Sequence, residues 1–366
     1  MDSRQRVMTA VERRQPDRVP VDFWADAEVF DRLARELKLA GHEGVLAWAG
    51  SDLRYFNGPT LRQQIPPGPD GIVYDHWGVS RRVGTVTGTR RDGTSYRWAY
   101  KHMHQAPLAE AATVADIDRH AWPTPDIWDF SNVADACRTL RATGCAVVAG
   151  ADRLDRAAQL KPAMYLRGTE QFMADLVLEP AIAEAILEHI AGYYLAYNRR
   201  LLEAGGGLFD IFFMGDDMGT QASTWVSPEM YRRFFKQPLA AYCELAHSFG
   251  VKAMYHTCGN VAPLVGDFVE AGVDILQSLQ PAALGEQLAW LKREYGRDIC
   301  FQGGIDIQQV LPRGMPDDVR RHVADRAATL APGGGYIFGT AHNILPDTPT
   351  ENVAALVEAY REYGSY

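Results

Sequence analysis

The 366-residue chain has no apolar run approaching membrane-spanning length. It lacks a basic excess: 37 Lys and Arg stand against 46 Asp and Glu, for a net charge of −9. That argues against a nucleic-acid surface, where a clustered basic face is expected. Cysteine is scarce. The five residues, Cys137, Cys145, Cys243, Cys258 and Cys300, are odd in number and widely spread. They argue against a disulfide framework and for a reducing compartment. The opening stretch MDSRQRVMTAVERRQPDRVP is charged throughout and has no apolar leader core, so a cytoplasmic location is expected. No G-x-G-x-x-G follows an early strand. The glycine runs at 205–207 and 333–335 precede strands, whereas a phosphate loop should follow one, so they are tight strand entries.

What is present is an orderly alternation. Residues 3–14 and 27–39 have helical spacing, and VPVDFW (19–24) between them has the composition of a strand. From about 57 to 125 Gly, Pro, Thr and Arg become frequent. Within that stretch DHWGVSRRVGTVTGTRRDGTSYRWAYKH predicts a β-hairpin turning at Arg91-Asp92-Gly93, with Arg81, Arg82, Arg90 and Arg91 on a solvated face. Further strands are expected at 145–152, 208–217, 251–260, 273–280, 298–305 and 334–343, and another near 46–52. Amphipathic stretches separate them; Val353, Leu356, Val357 and Tyr360 mark one helical face, and Ser227-Pro228 starts another helix. Near-continuous apolar strands suit a parallel sheet covered on both faces. The expected fold is an α/β, TIM-type (β/α)₈ barrel, one domain over 1–366 with a β-rich insertion at about 57–125; an open doubly wound sheet is second.

Active sites of such barrels lie at the carboxyl ends of the strands. Here those ends are polar: Asp26; Asp52 and Arg54; Asp152 and Arg153; Asp216, Asp217 and Gln221; His256, Cys258 and Asn260; Gln277 and Gln280; Gln302 and Asp306; Thr340, His342 and Asn343. In VKAMYHTCGN (251–260), strand alternation puts His256 and Cys258 side by side, an imidazole and a thiolate suited to zinc. Alternation also sends one of Asp216 and Asp217 inward, and Asp216 is favoured. Cys300 sits early in its strand and, with Cys137, Cys145 and Cys243, is a small core residue. In KPAMYLRG, Tyr165 is a packed aromatic or a pocket hydroxyl, and Arg167 either reaches a substrate carboxylate or pairs with a surface acid.

The segments GDDMGTQASTWVSPEMYRRFFKQPL, YHTCGNVAPLVGDFVEAGVDILQSLQP, FQGGIDIQQVLPRGMPDDV and GGGYIFGTAHNILPDTPTENVAALVEAY resemble the uroporphyrinogen decarboxylase superfamily, as does the N-terminal RVMTAVERRQPDRVPVDFW. The resemblance implies an (α/β)₈ barrel and two possible activities. Uroporphyrinogen decarboxylases act without a cofactor on a polycarboxylate held by arginines after the first strand. Here that segment is PVDFWADAEV, acidic and without Arg, which would repel such a substrate. In that branch Asp52 matches the pyrrole-binding aspartate, Tyr165 the pocket tyrosine and His342 the late histidine. The corrinoid-dependent methyltransferases hold zinc with a His-x-Cys pair and a later Cys. The pair matches His256 and Cys258; where the later Cys would fall, FGTAHNILPDTP offers His342, and zinc accepts imidazole as readily as thiolate.

The resemblance therefore implies zinc-assisted methyl transfer between a small methylated compound, or methylcobalamin on a partner corrinoid protein, and an acceptor. Metal ligands are His256, Cys258 and His342, with Asp216 completing the set or serving as acid/base. Asp26, Arg54, Arg167, Asp217, Gln221, Asn260, Gln277 and Asp306 are expected to meet a small-molecule substrate. The alternative is a cofactor-independent decarboxylase of a porphyrinogen or smaller acid, in which Arg54 or Arg167 holds a carboxylate and Asp52 or His342 protonates the carbanion. Family decarboxylases are homodimers, which extends a homodimer as an expectation here.

Overall fold

The computed structural model describes residues 1–68, 71–150 and 156–366. Asp152 and Arg153, expected at a strand end, lie outside the described residues. The chain opens with helix α1 (Ser3–Val11), whose start is held by a capping box between Asp2 and Gln5. An extended segment at 19–25 follows, then α2 (Ala27–Glu36) and α3 (Gly41–Ala49). Here the strand expected near 46–52 is corrected. VLAWAG is the end of α3, stopped by Gly50 in the left-handed region at φ 69°, and the strand is β1 (Leu53–Phe56). A short apolar run reads the same in a buried helix as in a strand, and helix length decided this one.

Between β1 and the rest lies the β-rich stretch. β2 (Thr60–Leu61) pairs antiparallel with the later β6 (Trp128–Asp129), so the two ends of this stretch meet. Within it β3 (Ile72–Tyr74), β4 (Ser80–Thr89) and β5 (Ser95–Gln105) form an antiparallel sheet whose hairpin turns at 90–94. The arginines are not a uniform solvated face. Arg82 and Arg91 are outside, but Arg81 and Arg90 are buried. Arg81 pairs with Asp75, and Arg90 donates to the Glu28 carboxylate and the Pro346 carbonyl, fastening the hairpin to α2 and to the loop before the last helix.

Six more strands follow: β7 (Ala146–Ala149), β8 (Ile211–Asp216), β9 (Lys252–Thr257), β10 (Ile275–Leu279), β11 (Cys300–Ile305) and β12 (Tyr336–Thr340). With β1 they form a parallel sheet in the order β1-β7-β8-β9-β10-β11-β12. Apart from the half-buried Tyr55 and Lys252 these strands are buried throughout, as expected of a parallel sheet covered by helices. The sheet curls until its edges share one segment. Pro20 accepts from the Phe338 N–H and Phe338 accepts from the Asp22 N–H, both at 2.8 Å, while Val21 accepts from the Asp52 N–H at 2.7 Å. The VPVDFW segment thus occupies the eighth position, with isolated bridges at Val21 and Ala25 in place of a regular strand.

Alternation along the strands divides the side chains. Leu53, Ala146, Val148, Ile211, Phe213, Met254, Ile275, Cys300 and Ile337 face the interior, plugged from below by Val7, Ala10 and Val11 of α1. Each such burial contributes roughly 1.5–3 kcal/mol for the larger side chains. The next inward positions, one layer nearer the carboxyl ends, are Tyr55, His256, Gln277 and Gln302, with Gly215 and Gly339 between them, and the site begins there. Among the described residues no helix is long and apolar enough to cross a membrane.

Candidate active site

At the carboxyl ends of β8 and β9 three donors converge. Asp217 Oδ1 lies 3.1 Å from Cys258 Sγ and 3.7 Å from His256 Nε2. Among the described residues, Asp217, His256 and Cys258 form the group of potential metal ligands whose donor atoms all lie within 4.8 Å of one another. Donor atoms around tetrahedral zinc stand about 3.4–3.6 Å apart, given the usual bond lengths, so the set fits zinc in donor type, while its donors, 3.1 Å to at most 4.8 Å apart, would have to adjust to close on an ion. His256 offers Nε2 because its Nδ1 faces Gln277 Oε1, the outer partner that fixes an imidazole ligand's orientation.

Period-2 alternation builds the group. Met254, His256 and Cys258 follow one another on the inward side of β9, and Phe213, Gly215 and Asp217 do so from β8. The expectation that Asp216 faces inward is therefore corrected. Asp216 turns outward, where its two oxygens accept from the backbone N–H groups of Gln159, Leu160 and Lys161, each at 2.8 Å. It caps the helix Leu160–Arg167. Alternation requires the two adjacent aspartates to face opposite ways but does not say which of them faces in.

The loops after β8 and β9 are locked backbone to backbone. Gly259 has φ +88°, and a Cβ there would fall 2.4 Å from the Gly219 carbonyl carbon. Its N–H donates to Gln280 Oε1 at 2.8 Å, and Asn260 N–H to Thr220 O at 2.8 Å. Only glycine allows that approach, and it sets Cys258 beside Asp217.

Electrostatics follow from burial and from Asp217. Burial raises the Asp217 carboxyl, but the hydrogen bond to His256 and the charge of Lys161 outweigh it, and the group is held well below the usual range. Lys161 Nζ also contacts Asp217 directly. Burial lowers His256, against the pull of Asp217. Burial and then the Asp217 charge push the Cys258 thiol up, so in the metal-free protein it is protonated and donates to Asp217.

Aromatic rings wall this group. Trp24 stacks on His342 at 5.1 Å between centroids and meets His256 edge-on at 5.8 Å. Phe213 lies 6.3 Å from His256, and the Arg156 guanidinium is 4.7 Å from the Phe213 centroid. His342 stands edge-on to His256 at 5.3 Å, yet it is outside the three-donor group. Its Nδ1 is engaged by Asn343, and burial, then the charge of His256, push it down to about 3, so it is neutral across the ordinary pH range.

Other expected residues sit elsewhere. Asp52 precedes β1, at the amino end of the barrel, where Arg6, Arg18 and the Val21 N–H take both its oxygens. It is a structural anchor and not a mouth carboxylate. Arg54 points outward from β1 to Glu43 of α3. Arg167 is buried against Asp175 and the carbonyls of Leu108 and Ala111. Tyr165 lies under Arg81, 4.4 Å from its guanidinium. Asp26 caps α2 and accepts from Trp98. Asp306 accepts from the N–H groups of Gln308, Gln309 and Val310 in a turn. Asn260 accepts from the Ala262 N–H, and Gln221 is exposed on the β8 loop. Gln277 alone of these touches the group, through His256. Unforeseen in the sequence were Trp24, Phe213, Lys161 and Arg156. Trp24 carried a signal, since in VPVDFW it shares a strand face with Asp22.

A parallel α/β barrel with a His-x-Cys pair at its mouth defines a class of barrel enzymes. Residues 100–363 match the uroporphyrinogen decarboxylase family profile, and the chain belongs to that family. A curated relative, the methylated-thiol–coenzyme M methyltransferase of Methanosarcina mazei, is 27% identical over 199 residues, 54% of this chain and 49% of that one. Uroporphyrinogen decarboxylase of Thermus thermophilus is 29% identical over 188 residues, 50% of each chain. The match thus spans about half the length of these relatives. A solved methyltransferase from Methanosarcina mazei covers 99% of both chains at a TM-score of 0.69 and 20% identity, so the two share a fold.

Proposed function

We propose that this chain is a zinc-dependent methyltransferase, a single (β/α)₈ domain with residues 57–125 inserted, moving a methyl group between a small methylated compound or a methyl-corrinoid and an acceptor. The observation that carries the reading is the convergence of Asp217, His256 and Cys258. These three would hold the ion, with Asp217 taking the place first assigned to His342. When bound, zinc would lower the pKa of an acceptor thiol and hold it as the thiolate. Compared with a two-thiolate set, one carboxylate, one thiolate and one imidazole form a harder donor set.

The chain's own groups do the rest. Gln277 orients His256, Lys161 keeps Asp217 ionised, and Trp24, Phe213 and His342 line an aromatic wall that sheds water from the reacting centre. Transfer needs donor and acceptor in line, so a corrinoid on a partner protein would approach from the mouth. Decarboxylation is less well supported, because Asp52, Arg54 and Arg167 are all occupied away from the mouth. The test is methyl transfer from free methylcobalamin to a panel of small thiols, run beside turnover of uroporphyrinogen. Methyl transfer lost in Cys258→Ala supports the reading; decarboxylation retained in Cys258→Ala overturns it.

A further inference from the structure

Running inward from His256, the barrel interior holds a row of polar side chains, two of which, Gln302 and Asp22, have no task yet. His256, Gln277 and Gln302 occupy one level on adjacent strands: His256 is in register with Gln277, and Gln277 with Gln302. All three are buried. At one end His256 Nδ1 faces Gln277 Oε1. At the other, Gln302 Nε2 donates to Asp22 Oδ2 at 2.9 Å, and Tyr55 OH donates to the same oxygen at 2.6 Å. Gln302 reaches Asp22 past Gly339, where a Cβ would lie 2.5 Å from its Nε2. Between these two ends, Gln277 Nε2 and Gln302 Oε1 are both buried and without partners. One is a donor, the other an acceptor, and they belong to residues in register.

A buried unpaired donor beside a buried unpaired acceptor costs roughly 1–3 kcal/mol each, and pairing them, directly or through one water, removes both penalties. We propose that Asp22, Gln302 and Gln277 form a directional hydrogen-bond chain that fixes the tautomer of His256, making them positioning residues for the metal ligand. Each amide has a donor end and an acceptor end, so an orientation set at one terminus propagates. Asp22 as a carboxylate only accepts, which turns the Gln302 N–H toward it. The Gln302 oxygen then faces Gln277 Nε2, and the Gln277 oxygen faces His256. The proton of neutral His256 is thereby drawn to Nδ1, leaving the Nε2 lone pair toward Asp217 and Cys258. Burial pushes Asp22 up to about 6, so it is ionised above that pH. The inference rests on the metal-site reading for its purpose, but the tautomer is read without metal.

The experiment is the two-bond proton–nitrogen spectrum of histidine-labelled, metal-free protein at pH 8, with His256 assigned by its loss in His256→Asn, together with Co²⁺ affinity by competition. The expected result is the Nδ1–H pattern in the native chain. In Asp22→Asn, whose amide no longer dictates direction, the pattern shifts toward Nε2–H and Co²⁺ affinity falls about 10–100-fold, as for other outer-shell partners. The exchange pair Asp22→Asn with Gln302→Glu restores both, because a carboxylate at 302 accepts from Gln277 and from the amide at 22. A purely structural Asp22 predicts no such restoration. An Nε2–H pattern in the native protein overturns the proposal. So does Asp22→Asn with pattern and affinity unchanged, or, should that single variant not fold, Gln277→Leu with the native pattern. A native chain that shows Nδ1–H but takes up no Co²⁺ would leave the hydrogen-bond chain standing and sink the metal reading alone.

Discussion

Cys258 Sγ and Asp217 Oδ1, 41 residues apart in the chain, lie 3.1 Å from each other. Their neighbour Asp216 faces the opposite way and caps a helix. Two adjacent aspartates should therefore fail differently. Asp217→Ala is expected to lower zinc affinity at least about 10-fold with stability little changed, since it removes a ligand at a solvent-reaching edge. Asp216→Ala is expected to cost about 2 kcal/mol in denaturant unfolding, because three helix N–H groups lose their acceptor. Equal effects of the two on metal affinity would contradict the assignment.

Gly259→Ala should separate the loops. A Cβ at φ +88° would overlap Gly219 backbone, so the β9 loop must shift and carry Cys258 with it. Expected are a loss of about 2 kcal/mol and weakened metal retention. The same substitution at Gly93, in the exposed hairpin turn, meets no atom and should leave metal retention alone, the difference being read by metal analysis of the two variants.

Asp22 makes stability depend on pH with a definite sign. Its folded pKa, about 6, is above the ordinary 3.8, so the folded state binds the proton more tightly. Stability from this group therefore rises as pH falls from about 6 toward 4, and is lowest above 6, by about 2–3 kcal/mol. Asp216 is displaced in the same direction, to about 6, by burial against the pull of its N–H donors. Comparing native protein with Asp22→Asn isolates Asp22. The variant should be the more stable at pH 8, with the gap closing between pH 6 and 4. Parallel stability curves across that window would refute this.

Arg90 holds the β4–β5 hairpin to the barrel through Glu28 and Pro346. Arg90→Ala should cost about 2 kcal/mol by leaving the buried Pro346 carbonyl and the half-buried Glu28 carboxylate without their donor, and it should speed proteolysis within 90–94. Arg82→Ala, on the exposed side, should change neither.

Much of this was legible in advance, and the failures have physical causes. The strand ends at His256 and Cys258 followed from period-2 alternation within one continuous apolar run. Asp216 and Asp217 failed by one residue of parity, since alternation says which residues share a face but not which face is inside. Asp52 failed because α3 absorbed an apolar run that resembles a strand, moving the carboxylate from the carboxyl end of a strand to the amino end of the next. Arg54 failed by parity as well, pointing outward where Leu53 and Tyr55 point in. Arg81 and Arg90 were misjudged because burial of a guanidinium depends on what packs against it: Asp75 and Tyr165 for Arg81, Glu28 and Pro346 for Arg90. That Asp22, Tyr55 and Gln302 meet was hidden because they come from the 19–25 segment, β1 and β11, far apart in sequence.

The central claim is that Asp217, His256 and Cys258 hold a metal ion. Its most direct measurement is the metal content of the purified protein, native and Cys258→Ala, with the Co²⁺ form examined for sulfur-to-cobalt charge-transfer absorption. One zinc per chain, lost in Cys258→Ala, and a charge-transfer band in the native Co²⁺ form alone are predicted. A native protein that takes up neither zinc nor Co²⁺, or a band that persists without Cys258, would contradict it.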